Sequence, residues 1–229
     1  MRIDKEKWEA AQVAELKHWR QDRKEYDETD PEIRRLSATY ASCLIWGRFG
    51  YFPTAFIGKR VIDVGCGPTA RCSCFVGAEL IGIDPLARDY SNLPGDRMAS
   101  YRELLAYPAE DNIDQLNSTA DAVVSLNCLD DCRDAQAVIE NMARYLKPGG
   151  IGLLSTDVDM QNGDVDPLHP LRLPPNAIAA ILEVSGVEVT LHEQGRSYPR
   201  VIEGGRIAWQ DGWCSREYVA HHWHFRKAG

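Results

Sequence analysis

Two short apolar runs of the sequence end in acidic residues, with a glycine turn between them, and this arrangement is typical of a ligand-binding site. Asp63, Gly65 and Gly67 close one short apolar run, and Asp84 closes the next, 19 residues after Gly65. Glycine lets the backbone approach a ligand because no Cβ intervenes, and a carboxylate at the second strand end can accept both hydroxyls of a ribose. The pattern predicts a ligand that contains a nucleoside.

The glycine turn is a poor match to a dinucleotide site. The pyrophosphate-binding pattern G-x-G-x-x-G would place a third glycine at position 70, where this chain has Ala70. Asp63 would also face the negative charge of a pyrophosphate. A cationic ligand suits the turn better, because an acid there attracts it.

Buried strands must position these residues, and the sequence from residue 60 onward predicts them. A helix is predicted over 132–150, between the last two of four strands. Those strands are short runs nearly continuous in apolar residues, as strands buried on both faces are, and they cover 60–65, 79–84, 121–127 and 150–158. Repeated strand, helix and strand predicts an α/β fold with a doubly wound, mostly parallel sheet.

Further elements flank this core. A weaker strand is predicted near 100–108 and a helix over 174–186. Two alternating strands, over 187–194 and 216–227, are expected to form an antiparallel hairpin at one edge of the sheet. The three histidines of the last strand are then expected to be exposed at that edge.

The N-terminal residues predict a helical cap. One helix covers 4–26, and a second begins at Asp30-Pro31 and ends by Gly47 or Gly50. We expect a single domain, with the cap over 1–58 and a Rossmann-like core over 59–229.

Composition excludes several classes of protein. The net charge of −8 and the pI near 5.3 repel phosphate backbones, so nucleic acid is not an expected partner. Residues 1–30 lack the apolar segment of a signal peptide, and no later window predicts a membrane span. The seven cysteines are predicted to be reduced thiols in the core, because they are odd in number and several lie within apolar runs. We expect a soluble, cytoplasmic protein.

With these motifs the sequence resembles the class I S-adenosylmethionine-dependent methyltransferases, of the small-molecule, type 11-like kind. The resemblance rests on VIDVGCGP, LIGIDP, DAVVSLNCLDDCRD and YLKPGGIGLLS, which follow the family's order and spacing across 60–158. It implies a seven-stranded Rossmann-like sheet with an antiparallel last strand. It also implies S-adenosyl-L-methionine as the cofactor.

The resemblance assigns a role to each residue of the cofactor site. Asp63, Gly65 and Gly67 would hold the methionine part, and Asp84 the ribose. Glu110, in YPAEDNI, would lie beside the adenine. Asn127, at the end of the fourth strand, completes the cofactor-binding set.

Two side chains are candidates for the base that a hydroxyl acceptor would need. His169 is the first choice, because imidazole titrates near neutral pH and its proline-rich loop follows the fifth strand. Asp131 stands where relatives often carry histidine, although it could instead cap the next helix. No metal site is predicted, since Asp130 with Asp157 and Asp159 has no fixed ligand spacing.

Three functions remain open at this point. O-methylation of a small molecule or a saccharide is favoured, because arginines and aromatic residues of the cap and of the connection 196–209 suit a polar ring compound. A non-catalytic S-adenosylmethionine-binding regulatory protein is the alternative. An NAD(P)-linked oxidoreductase is disfavoured by the missing third glycine and by the length of a single domain. The oligomeric state is left open.

Overall fold

The computed structural model describes most of the chain. The described residues are 1–26, 39–40, 42–47, 49–93, 98–159, 168–195, 199–202, 206–209 and 218–229. The start of the predicted second helix, at Asp30-Pro31, lies outside them, whereas residues 39–40 and 42–47 are helical as expected. Within these residues no helix combines the length and apolar character needed to cross a bilayer.

Seven strands form the central sheet. They are β1 (Arg60–Val64), β2 (Glu79–Ile83), β3 (Glu103–Leu105), β4 (Ala120–Leu126), β5 (Leu146–Asp159), β6 (Val187–Gly195) and β9 (Tyr218–Lys227). Their order is β3-β2-β1-β4-β5-β9-β6, with β1 to β5 parallel and β9 antiparallel to both of its neighbours. This confirms the predicted fold class. The connection to β9 contains a separate hairpin of β7 (Pro199–Ile202) and β8 (Arg206–Trp209).

Besides the helical residues 39–40 and 42–47, the described part of the chain contains four α-helices. They are α1 (Lys5–Tyr26), α2 (Ala87–Tyr90), α3 (Ala135–Tyr145) and α4 (Pro175–Val184). The helix predicted over 132–150 is shorter than expected. The Asp134 carboxylate caps its start by accepting the amide protons of Gln136 at 3.2 Å and Ala137 at 3.4 Å, and β5 begins immediately after Tyr145.

Two apolar clusters cover the two faces of the sheet. One joins α3 and α4 to the strands through residues such as Ile139 and Leu182. The other places Ile45 and Trp46, from the segment predicted as cap, against Val61 of β1. The Trp46 side chain is fully buried, and its Nε1–H donates to the Arg71 carbonyl at 2.8 Å. Residues 42–47 therefore belong to the packed interior as well as to the cap.

The prediction that the histidines of the last strand are exposed at the edge of the sheet is wrong. His221 and His222 are 0 % and 1 % exposed. The reason is the strand order, because β9 inserts between β5 and β6 and leaves β6 at the edge. The Ser155 hydroxyl and His222 Nδ1 are 2.7 Å apart, and His221 Nδ1 lies 3.0 Å from His192 Nε2.

Candidate active site

Asp84 joins the turns that follow β1 and β2. Its Oδ2 accepts the Gly67 amide proton at 3.1 Å, and its Oδ1 accepts that of Leu86 at 2.8 Å. Burial raises the pKa of Asp84 to about 7, although these two backbone donors act in the opposite direction. Each carboxylate oxygen retains a second lone pair, so Asp84 can still accept ligand hydroxyls.

The two glycines of the turn have different surroundings. Gly65 has φ +68°, and a Cβ added there would lie 2.3 Å from the Cβ and Sγ atoms of Cys128. Gly67 has φ +51°, and a Cβ there would meet nothing within 4 Å. Gly65 is therefore required by the packing of β1 against the end of β4, while Gly67 borders open space.

This contrast predicts different losses of stability on substitution. Gly65→Ala should lower the free energy of unfolding by about 2–4 kcal/mol, since left-handed strain adds to a steric overlap. Gly67→Ala should cost about 1 kcal/mol, because it introduces the strain alone. Urea unfolding of both variants measures the difference. Equal losses would contradict the assigned packing role of Gly65.

Asp63 is almost inaccessible to solvent. Its carboxylate accepts the Tyr101 hydroxyl proton and is also hydrogen-bonded by Cys72. Burial raises the pKa of Asp63 to about 6, and those hydrogen bonds oppose the rise. Asp63 thus joins the end of β1 to Tyr101 and to the segment after the glycine turn.

Glu110 and Asn127 both lie near the ends of strands. Glu110 is 9 % exposed, and its Oε1 accepts the amide protons of Arg133 and, at 3.2 Å, Asp134, which anchors the start of α3. Asn127 has φ +53° and donates its amide proton to the Ser155 carbonyl at 2.7 Å. In the described part of the chain, its buried Oδ1 accepts no hydrogen bond. That oxygen is available to a ligand donor.

The two candidate bases lie together. One ligand-type atom from each of Asp130, Asp131 and His169 falls within 4.8 Å of the other two. Asp130 and Asp131 end a short 3₁₀ turn after β4, and the Leu171 amide donates to the Asp130 carbonyl at 3.0 Å. This bond holds the loop of His169 against the loop of Asp131. The side chains of Asp157 and Asp159 lie outside the described residues.

Glu15 of α1 is a site residue that the sequence analysis missed. It is partly buried, and its Oε1 accepts the Trp19 indole proton at 2.5 Å. Burial raises the pKa of Glu15, while His18 and His169 are close enough to lower it. The sequence signal for Glu15 was its spacing of one helical turn from Trp19, on the less exposed side of α1.

The carboxylates around this corner repel one another. The pKa of Asp131 is held well above its usual range by burial first, and then by the negative charges of Asp130 and Glu15. Asp84 contributes to the same effect. The edge of the sheet therefore carries a cluster of acidic side chains beside α1, which suits a ligand with positive charge.

Comparison with known proteins agrees with the geometry. A family model described as a methyltransferase domain matches residues 38–227. A ubiquinone biosynthesis O-methyltransferase of Bradyrhizobium sp. (strain ORS 278) is 27 % identical over 133 residues, which are 55 % of this chain and 51 % of that protein. The enzyme of that name from Aliivibrio fischeri (strain ATCC 700601 / ES114) is 34 % identical over 107 residues, covering 43 % of this chain and 44 % of its own. The chain spans about half the length of the curated relatives it matches.

Solved structures share the fold at low identity. The [4+2]-cyclase SpnF superimposes with a TM-score of 0.57 at 18 % identity, over 76 % of each chain. Phosphoethanolamine N-methyltransferase 2 of Haemonchus contortus, in complex with S-adenosyl-L-methionine, gives a TM-score of 0.55 at 17 % identity, over 82 % of this chain and 52 % of that one. At such identities the likeness shows the fold alone.

Proposed function

The chain belongs to the class I S-adenosylmethionine-dependent methyltransferases, and we propose that it transfers the methyl group of this cofactor to a hydroxyl of a small molecule. The observation that carries the proposal is the Asp84 carboxylate, held at the end of β2 against the Gly67 amide, beside open space. A bound nucleoside requires a carboxylate that accepts hydrogen bonds from its ribose hydroxyls, next to a glycine turn that leaves space for it. The proposed acceptors are small molecules with a hydroxyl group, saccharides included, and the proposed location is the cytoplasm.

The described side chains suit the parts of the cofactor. Asp84 would accept the ribose hydroxyls, and the unsatisfied Asn127 Oδ1 would accept a proton from the cofactor. Glu110, anchored to the start of α3, would border the adenine. The sulfonium and ammonium groups carry positive charge, which this acidic cluster would stabilise.

Methyl transfer needs little from the protein beyond holding the cofactor and the acceptor in line. The acceptor oxygen attacks the methyl carbon in line, the carbon–sulfur bond breaks, and its electron pair stays on sulfur as a neutral thioether. The hydroxyl proton leaves at the corner formed by Asp131 and His169. We propose His169 as the first candidate for receiving that proton, because imidazole in general titrates near neutral pH, and Asp131 as the second.

The names of the matched relatives favour oxygen as the methylated atom. Both curated relatives described above are O-methyltransferases of ubiquinone biosynthesis. Their similarity covers about half of each chain, so the acceptor of this protein is proposed only as a hydroxyl compound.

The test is release of S-adenosylhomocysteine from S-adenosylmethionine in the presence of phenols, catechols and sugars, with NMR to identify the methylated atom. The proposal expects turnover with at least one hydroxyl compound and a new O-methyl signal. Methylation confined to amines would overturn the oxygen assignment. Tight cofactor binding without turnover across the panel would favour the regulatory alternative.

The ionisation of Asp84 predicts that cofactor binding depends on pH. Since the pKa of Asp84 is raised to about 7, part of the population is protonated at pH 6, and binding to the ionised form must release that proton. Affinity should therefore rise between pH 6 and pH 8 by up to about tenfold and then level off. Calorimetry on the wild type and on Asp84→Asn measures this dependence. A slope that persists in Asp84→Asn would assign it to another group.

A further inference from the structure

Two neighbouring thiols join the N-terminal cap to the segment after the glycine turn. Cys43 lies in the helical residues 42–47, and Cys74 ends the 3₁₀ turn Arg71–Cys74. Although 31 positions separate them in the sequence, their thiol groups are hydrogen-bonded to each other. The six cysteines that the structure describes are free thiols, and Cys214 lies outside the described residues. A reduced dithiol therefore stands where a disulfide could form.

The contacts around this pair already hold the two segments together. Trp46, three residues after Cys43, donates its indole proton to the Arg71 carbonyl at 2.8 Å. The Cys74 thiol lies 3.6 Å from the same carbonyl. Cys43, Trp46 and Cys74 also pack in one apolar cluster on that face of the sheet. Since the folded chain keeps the two sulfur atoms close, a bond between them requires little movement of the backbone.

The two thiols differ in their access to solvent. Cys43 is partly exposed, whereas Cys74 is 4 % exposed. Burial raises the pKa of Cys74 to about 12, and the nearby Cys43 adds to this rise, so Cys74 keeps its proton at neutral pH. An oxidant in solution therefore meets Cys43 first. An accessible cysteine next to a resolving cysteine is typical of thiols that react with peroxides.

A second thiol pair lacks this access. The Cys132 thiol donates to the Cys128 carbonyl at 3.1 Å and is hydrogen-bonded to the Cys128 thiol as well. Both residues are buried, as are the other described cysteines apart from Cys43. Within the described ranges, Cys43 is thus the cysteine that solvent reaches most readily. The two pairs differ in exposure rather than in the proximity of their sulfur atoms.

We propose that Cys43 and Cys74 are a modification site for hydrogen peroxide, at which oxidation forms a disulfide between the cap and the turn Arg71–Cys74. The Cys43 sulfur first attacks one peroxide oxygen, the O–O bond breaks, and a sulfenic acid and one water are formed. The Cys74 sulfur then attacks the Cys43 sulfur, the S–O bond breaks, and the hydroxyl leaves with the Cys74 proton as a second water. The two thiols lose two electrons and two protons, and peroxide is reduced to water. Neither step depends on the proposed function.

The disulfide is expected to stabilise the folded chain. It would close the loop between positions 43 and 74 and so restrict the unfolded state. The oxidised full chain should therefore unfold at a temperature about 5–10 °C above that of the reduced chain, as measured by scanning calorimetry. An unchanged or lower midpoint would mean that the bond forms only after the cap has separated from the turn, and would overturn the native pairing.

The direct experiment is peroxide treatment of the reduced full chain, followed by alkylation of the remaining thiols and peptide mass spectrometry. We expect a cross-linked peptide that contains Cys43 and Cys74 and that dithiothreitol separates. Cys74→Ser should instead accumulate a sulfenic acid on Cys43, which dimedone traps, and Cys43→Ser should give neither product. Cys132→Ala is the matched control, because it removes a thiol of the buried pair and should leave the cross-link unchanged.

Two results would overturn the modification site. One is a cross-link through Cys214 in place of the expected pair, and the other is no loss of free thiols in peroxide. The Cys128–Cys132 bond should form at least about tenfold more slowly than the Cys43–Cys74 bond, and equal rates would contradict the role assigned to solvent access. Circular dichroism of the reduced variants establishes that each one is folded before peroxide is added.

Discussion

Replacing His169 with alanine is expected to lower kcat by about 10²–10⁴-fold, the usual contribution of a group that promotes proton removal. His169 lies with Asp131 at the corner where the loops after β4 and β5 meet. The affinity for S-adenosylmethionine should stay near that of the wild type, because His169 is not among the residues proposed to bind the cofactor. Single-turnover rates, measured with a hydroxyl acceptor from the panel, separate chemistry from binding.

The control for this substitution is His192→Ala. His192 is an exposed imidazole on the edge strand β6, so its removal should leave kcat within about twofold of the wild type. If Asp131→Asn gives the large loss and His169→Ala mainly raises KM, Asp131 is the base. Small effects from both would mean that proximity alone accounts for transfer, and would contradict a catalytic base at this corner.

Replacing Asp84 with alanine is expected to weaken S-adenosylmethionine binding by about 30–150-fold, or about 2–3 kcal/mol, the loss expected when hydrogen bonds to a charged acceptor disappear. The Gly67 and Leu86 amides would also lose their acceptor, so the turn itself should become less ordered. Isothermal titration calorimetry at pH 8, where Asp84 of the wild type is ionised, measures the change.

Asp89→Ala is the matched control for Asp84→Ala. Asp89 lies five residues further on, in α2, and its carboxylate forms an exposed pair with Arg20 at 3.7 Å. Exposed pairs contribute about 0–1 kcal/mol, so cofactor affinity should not change. Unchanged affinity in Asp84→Ala itself would remove the ribose role.

The strand ends that carry the proposed cofactor residues could be predicted because local sequence determines them. Apolar runs ending in Asp63, Gly65 and Asp84 define strand ends, and parallel strands bring those ends to one edge. What these residues contact could not be predicted. Asp63 is hydrogen-bonded to Tyr101, which is 38 positions away, and Gly65 is required by Cys128, which follows β4.

The acceptor side depends on tertiary packing, which one sequence does not encode in a local pattern. Glu15 acts on Asp131 because α1 contacts the 3₁₀ turn after β4, and no sequence motif links the two residues. The burial of His221 depends on β9 entering between β5 and β6, whereas its alternating pattern also fits an edge strand.

Calorimetric titration of the purified full chain with S-adenosylmethionine tests the central claim most directly. We expect one site per chain, competition by S-adenosylhomocysteine, and no detectable heat with NAD⁺ under the same conditions. Binding of NAD⁺ in place of S-adenosylmethionine, or no binding of S-adenosylmethionine at pH 8, would contradict the assignment of this edge as a methyltransferase cofactor site.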